Sequence, residues 1–434
     1  MPPNLAASEH QLTTLDNGLR IVTERFENVR SIALSIMIGV GSRNEELDQA
    51  GLSHFLEHLL FKGTDKYTSS EIDEYFDSIG AEVNASTNKE VTTVYARFLD
   101  RHLPGAFDHI AEMVARSTFQ DIDAERQVVI EEIAMYEDEP SDIVFDLLGR
   151  RVFGDTPLGR RIIGTEEVVG GVSVERIAAY RDSQYVPGNL VIAAAGAVDH
   201  DQIVELAKEF GFDRPGEAPA FEPATPPSSP SLAFFEKETE QVNVALGAPS
   251  IARADERRFA FMVLNTIFGS STTSRLFQEV REKRGLAYSV YSYNQLYRDT
   301  GEIGLYVGTR PDRIAESVDI FARELQHLVD EPATTDELKR AKENLKGRTA
   351  LSMESPMGRM MQIGGSVLFD VPILSLDEIE ARVDAVTLDD LHAITDEFYR
   401  PERFNVAAVG SDEDVIRRAL EPLNPDLAAA PLAA

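Results

Sequence analysis

Apolar residues recur with two different periods along the first half of the chain. Gln11–Val22 (QLTTLDNGLRIV) places apolar residues on either side of Asn17-Gly18, the pattern of a hairpin with a tight turn. Ser31–Ile38 reads as a buried strand. Glu82–Thr87 and Val91–Leu99 alternate, which predicts paired strands turning near Asn88-Lys89. Helical spacing marks Ser69–Gly80, which opens on a Ser cap, and then His102–Arg116, Asp123–Glu139 and Val174–Tyr185. Asn189–Gly196 (NLVIAAAG) is a second buried strand. Gly39–Asn44 is a turn leading into the stretch on which the rest depends.

That stretch is Gly51–Thr64, GLSHFLEHLLFKGT. On a helix, at about 100° per residue, His54 at zero puts Glu57 near 300° and His58 near 40°. Leu52, Phe55, Leu56, Leu59 and Leu60 occupy the opposite arc. One face can be buried while the other presents two imidazoles and a carboxylate. Gly63 is placed to end the helix. Residues one turn apart are neighbours, so His54 and His58 can share one cation. Imidazole suits zinc and its neighbours in the divalent series. A carboxylate on that arc that does not ligate can take a proton from the metal's water. The order H-x-x-E-H is that of inverted zincins.

A second helix, DAERQVVIEEIAMYEDE (Asp123–Glu139), carries a complementary message. With Glu125 at zero, Glu132 returns to about −20°, among Val128, Val129 and Tyr136. Glu131 points near 240°, toward the solvent side. Carboxylates on a partly apolar face are costly unless paired, protonated or bound to metal. Pairing with Arg or Lys from elsewhere would meet that cost as well as a metal would. A two-His zinc site needs at least one more protein ligand. Glu132 is the candidate, and Glu125 a candidate supporting group behind the ligands.

The pattern then repeats. Arg214–Pro230 (RPGEAPAFEPATPPSSP) reads as a linker. Val172–Gly196 aligns without a gap on Val386–Gly410: Tyr185 falls on Tyr399 and Pro187 on Pro401, a constant offset of 214 residues. Two copies of one fold follow, residues 1–213 and 231–434 joined by the linker at 214–230. Hairpin strands mixed with helices make each copy α+β. The copies differ in chemistry. Phe259–Phe268 (FAFMVLNTIF), which opens the second copy, has no His and no Glu, and Glu337–Gly347 has Asn344 or a neighbour in place of Glu132. Only the first copy keeps a metal site. In Arg275–Ser292 of the second, Arg281 and Tyr288 could both offer donors to a developing oxyanion. The same pattern also fits two ordinary surface residues.

Composition narrows the partners. The 434 residues include no Cys and no Trp, so His and carboxylates must hold any metal. A net charge of −32 argues against nucleic acid and anionic membrane surfaces. It permits attraction to basic peptides, but an acidic surface reads more simply as a solubility device or a habitat signature. MPPNLAASEHQLTT shows no basic and apolar leader segments, and no apolar run approaches the ~18 residues of a membrane span. The expectation is a cytoplasmic protein.

HFLEHLLFKGT (His54–Thr64) resembles the zinc helix of the pitrilysin and mitochondrial-processing-peptidase family of metallopeptidases. The resemblance covers nearly the whole chain, and its length is similar to the short bacterial branch. It implies His54 and His58 as zinc ligands and Glu57 as general base. The family's E-R-x-x-x-x-x-E segment is matched by Glu125-Arg126 through Glu132, implying Glu132 as third ligand and Glu125 behind it. Its substrate-pairing strand, G-x-x-x-N-A, resembles Gly80–Ala85, which implicates Asn84 and Ala85. Its R-x-x-x-G-L-x-Y matches Arg281 and Tyr288. The implied fold is a pair of α+β domains, each an antiparallel-rich sheet covered by helices on one side. The implied activity is zinc-dependent cleavage of short or unfolded peptides inside a clamshell. Metal and oxyanion donors lie in opposite halves of a half-length chain. A homodimer sharing its sites is therefore expected, or a heterodimer with a related chain. The alternatives are a non-catalytic scaffold or partner subunit, and a hydrolase of a smaller amide.

Overall fold

A computed structural model describes residues 10–212 and 216–430. It divides into two compact units, each built on one sheet. The first sheet contains β1 (Gln11–Thr14), β2 (Arg20–Arg25), β3 (Ser31–Ile38), β4 (Glu82–Thr87), β5 (Thr92–Leu99) and β6 (Leu190–Gly196), ordered β1-β2-β6-β3-β5-β4. The second contains β7 (Leu232–Glu236), β8 (Val242–Ser250), β9 (Ala287–Leu296), β10 (Gly301–Thr309) and β11 (Asn405–Gly410), ordered β7-β11-β8-β10-β9. Omit β1 and the two orders coincide. Each sheet has one parallel pair, β2–β6 and β7–β11, in the same place. The Val174–Gln184 and Leu388–Phe398 helices that precede β6 and β11 keep the offset of 214 residues. The fold is two α+β copies, antiparallel-rich as expected.

The compact units are not the two halves of the chain. Unit 1 takes in the described residues up to Ile133, then Arg161 to Glu222, then Ala350 to Ser375. Unit 2 takes Ala134–Arg160, the described residues from Pro223 to Thr349, and those from Leu376 onward. Each thus borrows one helix from the other half: Pro356–Leu368 lies in unit 1 and Pro140–Phe153 in unit 2. A split at 214–230 therefore describes the order of the repeats along the chain, not the content of the units. Arg214 and Pro215 of the expected linker lie outside the described residues, as does Asp213. Residues 216–230 contain no helix or strand.

The reason lies in the strands. β3 and β6 are apolar on both faces, and an apolar face needs cover. Ile32, Leu34, Ile36, Ile192 and Ala194 face the core that holds Leu52, Phe55 and Leu59. Ala33, Met37, Val191 and Ala193 face the other way, onto Met360, Ile363 and Leu368 of the borrowed helix. Each fully buried large apolar side chain there contributes about 1.5–3 kcal/mol. Gly364 comes so close that a Cβ would stand 2.7 Å from Ala193. Arg359 of the same helix is buried and donates to Glu24 of β2, with Nε–Oε2 at 2.8 Å. Helices on one side only, as the resemblance implies, do not describe this sheet: its second face is covered too. In unit 2 the Pro140–Phe153 helix likewise brings Val144, Leu148 and Val152 to Ala245, Tyr306 and Ala407. No helix among the described residues is long and apolar enough to cross a membrane.

Candidate metal centre

The helix at the centre spans Leu52–Leu59. Leu52, Phe55, Leu56 and Leu59 are essentially fully buried, which turns His54, Glu57 and His58 outward together. Gly51 starts it at φ 97°, where a side chain is strained and a Cβ would stand 2.7 Å from the Ile163 carbonyl. Its first amides are satisfied by a residue that sequence reading passed over. Glu45 Oε2 accepts from Gly51 N–H at 2.8 Å, and Oε1 from Ser53 N–H at 2.7 Å. Burial pushes the Glu45 carboxyl up to about 7, although those hydrogen bonds oppose it. The available signal was an acidic residue just ahead of a glycine-started helix. At the other end the helix stops at Leu59, earlier than expected. Turns at Phe61 and Lys62 intervene before Gly63, at φ 97°, redirects the chain.

The second helix spans Ile122–Asp138 and turns Glu132 toward the imidazoles, while Glu131 is exposed. Glu132 Oε2 lies 3.4 Å from His58 Nε2 and 3.7 Å from His54 Nε2. The three ligand atoms lie within 4.8 Å of one another, the one such cluster found among the described residues. Ligands about 2.1 Å from a tetrahedral zinc stand roughly 3.4 Å apart, so the set fits that ion. Burial, then the neighbouring His58, lower His54 to about 4, which leaves it neutral with a free lone pair. Behind His58, Glu125 Oε1 accepts from Nδ1 at 2.8 Å, directing Nε2 at Glu132. Glu125 Oε2 meets Lys62 Nζ at 2.8 Å. Burial alone would raise Glu125, but the hydrogen bonds from Lys62 and His58 outweigh it and hold it below its ordinary value.

Glu57 does not join the cluster. Burial raises its carboxyl above the ordinary value; a hydrogen bond from the Thr87 hydroxyl opposes this. Thr87 is the last residue of β4, which ends the sheet and among the described residues pairs only with β5. No described strand pairs with its other edge, beside the candidate base. On that strand Asn84 is exposed, Ala85 is buried, and the Ala85 N–H donates to Asn84 Oδ1 at 2.8 Å.

Residues 20–166 match the family Insulinase (Peptidase family M16), and residues 171–345 match the Peptidase M16 inactive domain. This chain belongs to peptidase family M16. It is 44% identical over 393 residues to a protein of Streptomyces coelicolor named uncharacterized zinc protease SCO5738, covering 88% of this chain and 85% of that one. It is 40% identical over 389 residues to the uncharacterized zinc protease YmxG of Bacillus subtilis, covering 89% and 95%. Its fold is similar to that of a protease from Helicobacter pylori, with TM-score 0.87 and 23% identity over 93% of this chain and all of that one.

The remaining two candidates of this M16 chain lie in unit 2 and touch each other. Arg281 sits on a π-helical segment, Phe277–Glu282, a rare conformation often found at functional sites. Its guanidinium donates to the Tyr288 carbonyl at 3.0 Å and lies 4.2 Å from the centre of the Tyr288 ring. Tyr288, near the start of edge strand β9, is 76% exposed. The Arg258–Phe268 helix of this second copy carries no metal-ligating side chain.

Proposed function

We propose that this M16 chain is a zinc-dependent endopeptidase that cleaves short or unfolded peptides, with Glu57 as general base. One observation carries the reading: two imidazole nitrogens lie 3.4 and 3.7 Å from one Glu132 oxygen, on the helix that also presents Glu57 beside an edge of β4 with which no described strand pairs. His54, His58 and Glu132 hold the metal. Zinc bound there supplies Lewis acidity, polarising the scissile carbonyl and acidifying water. Glu57 takes the proton of the attacking water and passes it to the departing amine as the C–N bond breaks.

The peptide adds as a strand to β4. Main-chain bonds give affinity with little demand on side chains. Asn84 releases the Ala85 N–H as the peptide arrives. Arg281 and Tyr288 supply oxyanion donors from a second copy of the chain; the exposure of Tyr288 supports this. A two-fold dimer sharing its sites follows, with an isologous interface.

The test is Glu57→Gln. The variant should retain zinc by metal analysis and lose orders of magnitude in turnover of a quenched peptide. Near wild-type turnover removes Glu57 as the base. Turnover of a small amide but of no peptide removes the endopeptidase reading.

A further inference from the structure

Lys62 has no place in the mechanism above, yet its ammonium reaches into the metal centre. It lies four residues after His58, beyond the end of the helix. Lys62 N–H donates to the Leu59 carbonyl at 3.2 Å, and Gly63 then turns the chain at φ 97°. A Cβ on Gly63 would stand 2.9 Å from the Gln120 side chain, and the Gly63 carbonyl accepts from Thr118 N–H at 3.0 Å. Thr118 and Gln120 belong to the segment that leads into the Glu125 helix. The backbone around Lys62 is thus fixed against the element that carries the second and third carboxylates of the site.

Glu125 has two oxygens and two partners. Oε1 accepts from His58 Nδ1 and Oε2 from Lys62 Nζ, both at 2.8 Å. The Glu125 side chain is 10% exposed, and that of Lys62 30%. A carboxylate so buried is costly without a cation. With one oxygen held by Lys62, the other has a single orientation, toward His58. Without Lys62 the carboxylate is held by His58 alone, and its grip on which nitrogen of His58 carries the proton is weaker.

We propose that Lys62 is a positioning residue of the metal centre: it clamps Glu125 so that Glu125 holds His58 with Nε2 turned toward the ion. The inference rests on the metal-site reading above but not on peptidase activity.

Zinc affinity, measured by competition with a chromophoric chelator, tests it without turnover. Lys62→Met, which keeps the stem and removes the ammonium, should weaken zinc binding about 10- to 100-fold. The melting temperature of the metal-free protein should fall as well, since Glu125 loses its cation, so zinc affinity is compared at a temperature where both chains are folded. Lys62→Arg should recover most of the loss. In a Glu125→Gln background Lys62→Met should cost nothing further, since its route to the metal is gone. Should Lys62→Met fail to fold, Lys62→Gln carries the same prediction. Unchanged affinity, no recovery in Lys62→Arg, or a full additional loss in the Glu125→Gln background overturns the proposal. A wild-type chain that binds no zinc overturns it together with the proposed function. Zinc binding without peptide cleavage sinks only the latter.

Discussion

Glu45 makes the starting helix of the metal centre pH-sensitive. Two effects compete at its carboxylate. The helix N-terminus and two N–H donors favour the ionised form by roughly 1–3 kcal/mol. Burial favours the protonated form, and it wins: the group rests at about 7 against an ordinary 4.5. At high pH the difference amounts to about 3 kcal/mol, since each pKa unit is about 1.4 kcal/mol. An acid whose folded value is raised binds its proton more tightly in the folded state. The folded state is therefore favoured below the unfolded value and loses that advantage as pH rises through the folded value. About 1.4 kcal/mol is gone by pH 5.5, and roughly 2 kcal/mol more goes between pH 5.5 and 8.5. Lower pH is avoided because the chain nears its isoelectric point of 4.6. The assay is denaturant unfolding of metal-free protein at several pH values, for wild type and Glu45→Gln. Subtracting the two profiles cancels the other titrating groups. The wild type should lose about 2 kcal/mol relative to the variant across that range. Parallel profiles would refute burial of a titrating Glu45, and an opposite slope would show that the helix terminus outweighs burial.

Two further outcomes test the centre and its assembly. Glu132→Gln should strip bound zinc while Glu131→Gln, on the exposed face, should not; equal loss in both would contradict the assignment of faces, read by metal analysis of the purified variants. Mixing inactive Glu57→Gln with inactive Tyr288→Phe should restore activity, because about one site in each mixed dimer regains both groups. Silence from verified mixed dimers would count against sites shared between subunits.

Periodicity along the sequence was sufficient to place His54, Glu57 and His58 on one helical face and Glu132 on another, since the backbone repeat fixes which residues share a side. It also revealed the duplication, because Val172–Gly196 and Val386–Gly410 keep their pattern without a gap. Which carboxylate turned to the imidazoles was not decided by periodicity: Glu125 and Glu132 share a direction, and only packing brought Glu132 to both Nε2 atoms and Glu125 to Nδ1. The roles of Glu45 and Lys62 depend on contacts at turns, where no repeat relates a residue to its neighbour in space. The exchange of the Pro140–Phe153 and Pro356–Leu368 helices was hidden for a similar reason. The sequence shows that β3 and β6 are apolar on both faces, and hence that each needs a second cover. Which helix supplies that cover is a long-range choice, made by the fit of Gly364 against Ala193 and of Arg359 against Glu24.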